Sequence, residues 1–124
     1  MKRVLNWIKE TSLFERICCI IILLEVIALF KFRWTIGMGD SMLPTLKNPS
    51  FTICMITDNY EVGDIVHYNI GGFPIIHRII QIETYMMDNG HPIKVYTLQG
   101  DNNPEADHFK VYDENIKCKV LFVK

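Results

Sequence analysis

The sequence predicts a mainly β protein in which a small antiparallel β domain is preceded by one N-terminal transmembrane helix. Three observations carry this prediction. Residues 17–30 ("ICCIIILLEVIALF") form one greasy run with a single ionisable residue, Glu25. From Ser50 onward the chain is rich in Ile, Val, Tyr, Phe and Thr. That stretch is punctuated by turn formers at short intervals, from Asp58-Asn59 and Gly63-Asp64 through Gly71-Gly72 and Asp88-Asn89-Gly90 to Gly100-Asp101-Asn102-Asn103. A chain of 124 residues has room for one ordinary domain and a short appendage.

The greasy run is apolar all round, which favours lipid over a core helix with one polar face. A span needs about 20 mostly apolar residues. Residues 13–36 reach that length if Arg16 and Lys31 or Arg33 snorkel to the headgroups and Trp34 sits at the interface. The residues after the run, Lys31, Phe32, Arg33 and Trp34, are not the small residues a signal-peptide cleavage site requires, so a retained anchor is expected. Glu25 then lies near mid-membrane, where it is protonated or paired with a partner helix. Lys2, Arg3, Lys9 and Arg16 precede the run and only Lys31 and Arg33 closely follow it. The N-terminus is therefore expected in the cytoplasm and the chain from about residue 37 outside. Residues 4–14 read as a short amphipathic helix along the inner surface. The expected organisation is a cytoplasmic segment (1–12), an anchor (13–36) and an extracytoplasmic β domain (37–124).

Within that domain "SFTICMI", "GDIVHYNI", "PIIHRIIQIETYMM", "PIKVYTLQG" and "CKVLFVK" read as strands. Asn89-Gly90 supplies the left-handed angles of a tight turn, so the two strands that flank it should pair. The net charge of −1 and the lack of a basic stripe exclude a nucleic-acid partner. Cys18 and Cys19 are adjacent within the greasy run, and Cys54 and Cys118 are far apart, so neither a zinc ligand set nor any other metal or cofactor site is expected. Cys54 and Cys118 read as two buried free thiols, with a disulfide as the alternative in an oxidising compartment.

The chemistry centres on "GDSMLPT", residues 39–45. Pro44 fixes its own backbone and pushes Leu43 toward an extended form, giving a stiff, irregular segment able to present the Ser41 hydroxyl. A serine nucleophile needs a base in hydrogen-bond reach and a third group to orient that base. Among four histidines, His77 interrupts an apolar strand between Ile75, Ile76, Ile79 and Ile80. Its alternative reading is a core histidine bonded to backbone. His91 adjoins a turn, His108 follows Asp107 in a loop, and His67 lies in another strand. Two carboxylates in "QGDNNPEAD", Asp101 and Asp107, are candidates for the third group, although loop Asp residues commonly bond their own backbone.

Together these segments resemble the signal peptidase I family, in its endoplasmic-reticulum, archaeal and sporulating-bacterial branch. The resemblance runs in order over residues 39–107: "GDSMLPT", "VGDIV" at 62–66, "IIHRII", and "GDNN" at 100–103 with Asp107 beyond it. The common bacterial enzymes of the family use a lysine base, whereas the base position here is His77. The resemblance implies a membrane-bound serine endopeptidase with the signal-peptidase β fold. Ser41 is then the nucleophile, His77 the general base and Asp107 the completing carboxylate. Asp101 holds the loop and stands in as the alternative carboxylate, while Met42 and Pro44 support the nucleophile.

An imidazole is a base near neutral pH without the burial a lysine needs. The Ser41 backbone N–H is the candidate oxyanion donor. The chain departs from the family at Gly39, where a serine is frequent, leaving a second donor unassigned. It departs again at Asp40, whose charge would oppose a developing oxyanion unless directed away. The implied substrates are signal peptides of exported preproteins, cut after small residues at −1 and −3, with Met42, Leu43 and Ile76 lining the pockets. The implied partners are those signal peptides, the bilayer and membrane subunits. Two rival readings remain: a membrane-anchored, non-catalytic module that binds signal peptides or partners, and a self-cleaving repressor-type peptidase. The latter shares "GDSM" and "GDIV" but uses lysine and a DNA-binding segment.

Overall fold

The computed structural model describes residues 1, 2, 4 and 12–123, with the side chains of Phe122 and Val123 left aside. The chain divides into two units, Met1–Lys31 and Phe32–Lys124. The first contains helix α1 (Leu13–Lys31). A reciprocal cap starts it: the Ser12 N–H donates to Glu15 Oε2 at 2.8 Å, and the Glu15 N–H donates to Ser12 Oγ at 3.3 Å. Lys31 closes it, a cation among the carbonyls of the last turn.

The expected span over residues 13–36 is corrected here. Among the described residues no helix is long and apolar enough to cross a membrane. Glu15, Arg16 and Glu25 interrupt the apolar surface of α1, which ends at Lys31 because the next residues enter a strand. The helix nevertheless buries none of its side chains. Most of the expected amphipathic segment, with Arg3 and Lys9 of the charge asymmetry, lies outside the described residues.

The second unit is one antiparallel sheet of seven strands: β1 (Phe32–Gly37), β2 (Ser50–Met55), β3 (Ile65–Ile70), β4 (Phe73–Met86), β5 (Pro92–Gln99), β6 (Val111–Tyr112) and β7 (Ile116–Val123). Their order is β1-β2-β7-β3-β4-β5-β6, so the last strand inserts between β2 and β3. The mainly β prediction and its five strands stand, while β1 and β6 are additions. β1 alternates Phe32, Trp34 and Ile36 with Arg33, Thr35 and Gly37, a period of two that suits pairing with β2.

Two hairpins set the registers around β4. Gly71 and Gly72, both at positive φ (60° and 89°), turn β3 into β4 with Ile70 opposite Phe73. The turn from β4 to β5 is wider than the tight Asn-Gly turn expected. Met87 N–H donates to the His91 carbonyl at 3.0 Å around Asp88-Asn89-Gly90, and only Gly90 takes a positive φ. The core of the unit is Tyr60, Val66, Tyr68, Ile79, Tyr96, Leu98, Val111 and Ile116.

Cys54 and Cys118 form a disulfide, which corrects the free-thiol reading. Distance in sequence concealed their proximity: β7 pairs with β2 and brings the two Cα atoms to 5.6 Å. The bridge closes a loop of sequence separation 64, worth about 4 kcal/mol by the chain-entropy argument. Replacing both cysteines by serine is expected to lower the unfolding free energy by up to about that amount in denaturant titration. A loss below about 1 kcal/mol would show that the bridge contributes little.

Candidate active site

Three segments converge on β4. The connection from β1 to β2 carries Ser41, β4 itself carries His77, and the connection from β5 to β6 carries Asp101 and Asp107. On β4 the side chains of Ile75, His77 and Ile79 share one face by the period of two, and His77 is 7% exposed. Its Nδ1 lies 2.6 Å from Asp107 Oδ2 and its Nε2 lies 3.2 Å from Ser41 Oγ. A carboxylate accepts only, so Nδ1 carries the proton and Nε2 turns a lone pair toward the serine hydroxyl. This excludes the reading of His77 as a core histidine bonded to backbone.

Tyr68 completes the cluster and was absent from the sequence reading. Its hydroxyl donates to Asp107 Oδ2 at 2.5 Å, the same oxygen that receives His77. Burial first, then the hydrogen bond to Asp107, pushes the phenol far above its ordinary range, so it stays a donor. The register could have found it. Counting back from the Gly71-Gly72 turn places Val66 opposite His77 and Tyr68 opposite Ile75, diagonal to the histidine on the same face.

Asp101 does separate work. Arg78 grips it with two nitrogens, Nε to Oδ1 at 2.8 Å and Nη2 to Oδ2 at 2.7 Å, and Thr45 Oγ1 donates to Oδ2 at 2.6 Å. The Arg78 hydrogen bonds hold the Asp101 carboxyl below the usual carboxylate range. Arg78 also reaches the Gly63 carbonyl at 2.8 Å, which ties in the segment "VGDIV".

The segment that carries Ser41 has no ladder of its own and is held from outside. The Ser41 carbonyl accepts the Asn102 N–H at 2.8 Å, and Asn102 Nδ2 donates to the Asp40 carbonyl at 3.0 Å. Asn48 receives the Gly39 N–H at 3.1 Å and donates to Asp40 Oδ1 at 2.9 Å, so the Asp40 carboxylate is engaged by a neutral amide. Met42 is buried, with its sulfur 3.4 Å from the Asp101 nitrogen. The peptide before Pro44 is cis, as is Asn48-Pro49.

A cavity of about 400 Å³ opens beside Ser41, and Gly37, Met42, Leu46, Ser50, His67 and Ile76 are among its walls. Met42 and Ile76 were expected there; Leu43 is not among the lining residues. His67 Nε2 lies 3.1 Å from Thr52 Oγ1, and burial lowers the affinity of its ring for a proton. His91 and His108 lie outside both cluster and cavity.

No protein-family model matches this chain, and no curated protein shows significant similarity to it. A hydroxyl, an imidazole and a carboxylate in line, next to a cavity, form an arrangement able to transfer a proton from Ser41 to His77 as the oxygen attacks a carbonyl.

Gly100 is the point where this arrangement is least tolerant. A Cβ there would lie 2.5 Å from the Ser41 carbonyl and 2.8 Å from Asn103 Nδ2. Gly100→Ala is expected to displace Ser41 and lower labelling by a serine-directed phosphonate by about 100-fold, a loss typical of misplacement near 1 Å. Unchanged labelling in a folded variant would show that the two loops are not coupled in this way.

Proposed function

We propose that this chain is a serine endopeptidase of the signal-peptidase type, removing signal peptides from exported preproteins after small residues at −1 and −3. The observation that supports this most is His77, set between Ser41 Oγ and Asp107 Oδ2 at 3.2 and 2.6 Å. In the proposed reaction Ser41 Oγ attacks the scissile carbonyl while His77 Nε2 takes its proton. The Ser41 N–H faces the oxyanion, and the imidazolium, held by Asp107, returns the proton to the departing amine. Water then repeats the sequence, with His77 as base, to release the acyl group from Ser41.

The disulfide supports an extracytoplasmic setting for the β unit, since such bonds persist in oxidising compartments. Membrane attachment is proposed with it and rests on α1, whose apolar side chains, among them Ile20 to Leu24, are exposed. Glu25, exposed on that helix, is the candidate contact for a partner subunit.

The test is processing of a reporter preprotein with an Ala-X-Ala site in cells depleted of their own signal peptidase. Wild type should yield mature reporter, and Ser41→Ala or His77→Ala should not. Accumulated precursor with wild-type protein present in the membrane fraction would count against the reading. A binding module that does no chemistry would also fail to react with a serine-directed covalent probe.

The two aspartates supply a sharper comparison. Asp107 touches His77, whereas Asp101 touches Thr45 and Arg78. Asp107→Ala should cost about 10³–10⁴-fold in kcat/KM, the scale for losing a carboxylate that orients a catalytic histidine. Asp101→Ala, which leaves that contact in place, should cost about tenfold through a loosened loop. The opposite ranking at equal protein level would reassign the third member of the site.

A further inference from the structure

The cavity beside Ser41 is larger than recognition of small apolar side chains requires, and its largely apolar wall carries a few polar groups. Its volume of about 400 Å³ lies within the range of about 300–1,000 Å³ typical of pockets that enclose whole small ligands. Gly37 packs closely on this wall, where a Cβ would lie 2.8 Å from Ser50 Oγ and 2.9 Å from Ile76 Cδ1. Thr35, Ser50 and His67 add polar groups to this wall.

Two of those groups have hydrogen-bonding capacity to spare. Ser50 is 3% exposed, lines the cavity, and its hydroxyl has no protein partner among the described residues. No fully buried side-chain polar atom among the described residues lacks a partner, so the Ser50 hydroxyl is the part of that residue that opens to the cavity. For His67 the tautomer follows from its neighbour. Thr52 Oγ1 donates its one proton to the Thr35 carbonyl at 3.3 Å, so toward His67 it accepts from Nε2–H at 3.1 Å. Nδ1 is then a lone-pair acceptor, and among the described residues it too has no protein partner.

We infer that this cavity reads a hydroxyl-bearing side chain, Ser or Thr, of the peptide cut at Ser41, through His67 Nδ1 as acceptor and the Ser50 hydroxyl as donor. The inference rests on the peptidase reading above and names the chemistry of one substrate position. A substrate hydroxyl supplies one proton and one acceptor, which matches the pair. A carboxylate offers His67 Nδ1 no proton, and an ammonium would be buried with no counter-charge among the cavity walls. A primary amide brings two protons for one committed acceptor. An alkyl group leaves both protein groups unpaired, the larger cost in such a site. Burial, which disfavours the charged ring of His67, keeps that lone pair present near neutral pH.

Threonine and valine have nearly the same shape and differ in the hydroxyl, so the test compares them. Reporter preproteins carrying Ala, Thr or Val at −1, and separately at −3, are processed by the full chain. At one of the two positions Thr should be cut about tenfold faster than Val, the scale of a hydrogen-bonded group against its unpaired counterpart. Ser50→Ala should bring that ratio near one. Gly37→Ala, which adds a methyl group against Ser50 Oγ, should reduce it as well.

Equal processing of Thr and Val at both positions, by an enzyme that cuts the Ala-X-Ala reporter, would overturn the inference and leave the peptidase reading standing. Failure to cut any reporter would overturn the peptidase reading instead. The pocket is then decided by titrating labelled Thr and Val peptides into the full chain carrying Ser41→Ala. Binding of the Thr peptide about tenfold tighter keeps the assignment, and equal or absent binding overturns it.

Discussion

The close approach of two backbones at Gly100 organises the site. The segment that carries Ser41 has few hydrogen bonds within itself and depends on the β5–β6 connection, whose Asn102 N–H meets the Ser41 carbonyl at 2.8 Å. Only a residue without a Cβ lets the chain pass at that distance. The same connection supplies Asp101 to Thr45 and Arg78, and Asp107 to His77. One loop therefore fixes the position of Ser41 and the orientation of His77. Arg78 carries the coupling into β4, because its neighbour His77 points to the opposite face of the same strand.

Two histidines in one neighbourhood are given different tasks by their partners. His77 meets a carboxylate at Nδ1, which leaves the Nε2 lone pair facing Ser41 Oγ. His67 meets a hydroxyl that has already committed its proton, and burial disfavours its charged form. The first arrangement suits proton transfer, the second suits hydrogen-bond recognition. Tyr68 adds to the contrast: its donated bond helps satisfy the part-buried Asp107 oxygen beside the imidazole.

What was legible in the sequence follows from how local each signal is. The five strands from Ser50 onward were readable because β-branched runs between Gly and Asn turns report the chain's nearest neighbours. β1 was overlooked although Phe32, Trp34 and Ile36 alternate with Arg33, Thr35 and Gly37. Its apolar side chains are exposed, with Trp34 stacked on Phe51 at 6.2 Å, so they read as interfacial anchors of a longer helix. Ser41 and His77 stood out from their local surroundings and resemblance favoured Asp107 over Asp101, whereas the residues that hold them, Asn48, Asn102 and Tyr68, act across gaps of many positions and left no local mark. The disulfide was hidden for the same reason, since spacing alone says nothing about the order β2-β7-β3.

That strand order also bears on the cavity. Thr52 lies on β2 and His67 on β3, and β7 runs between those strands in the sheet. The hydrogen bond between them therefore spans two strands that are not paired with each other. Cys118 stands opposite His67 in the β3–β7 register, and Cys54 lies two residues from Thr52 on β2. The bridge thus joins β2 to β7 beside the pair of residues that fix the His67 tautomer. The polarity of the cavity wall is in this way a property of the sheet's connectivity, set by where the last strand inserts.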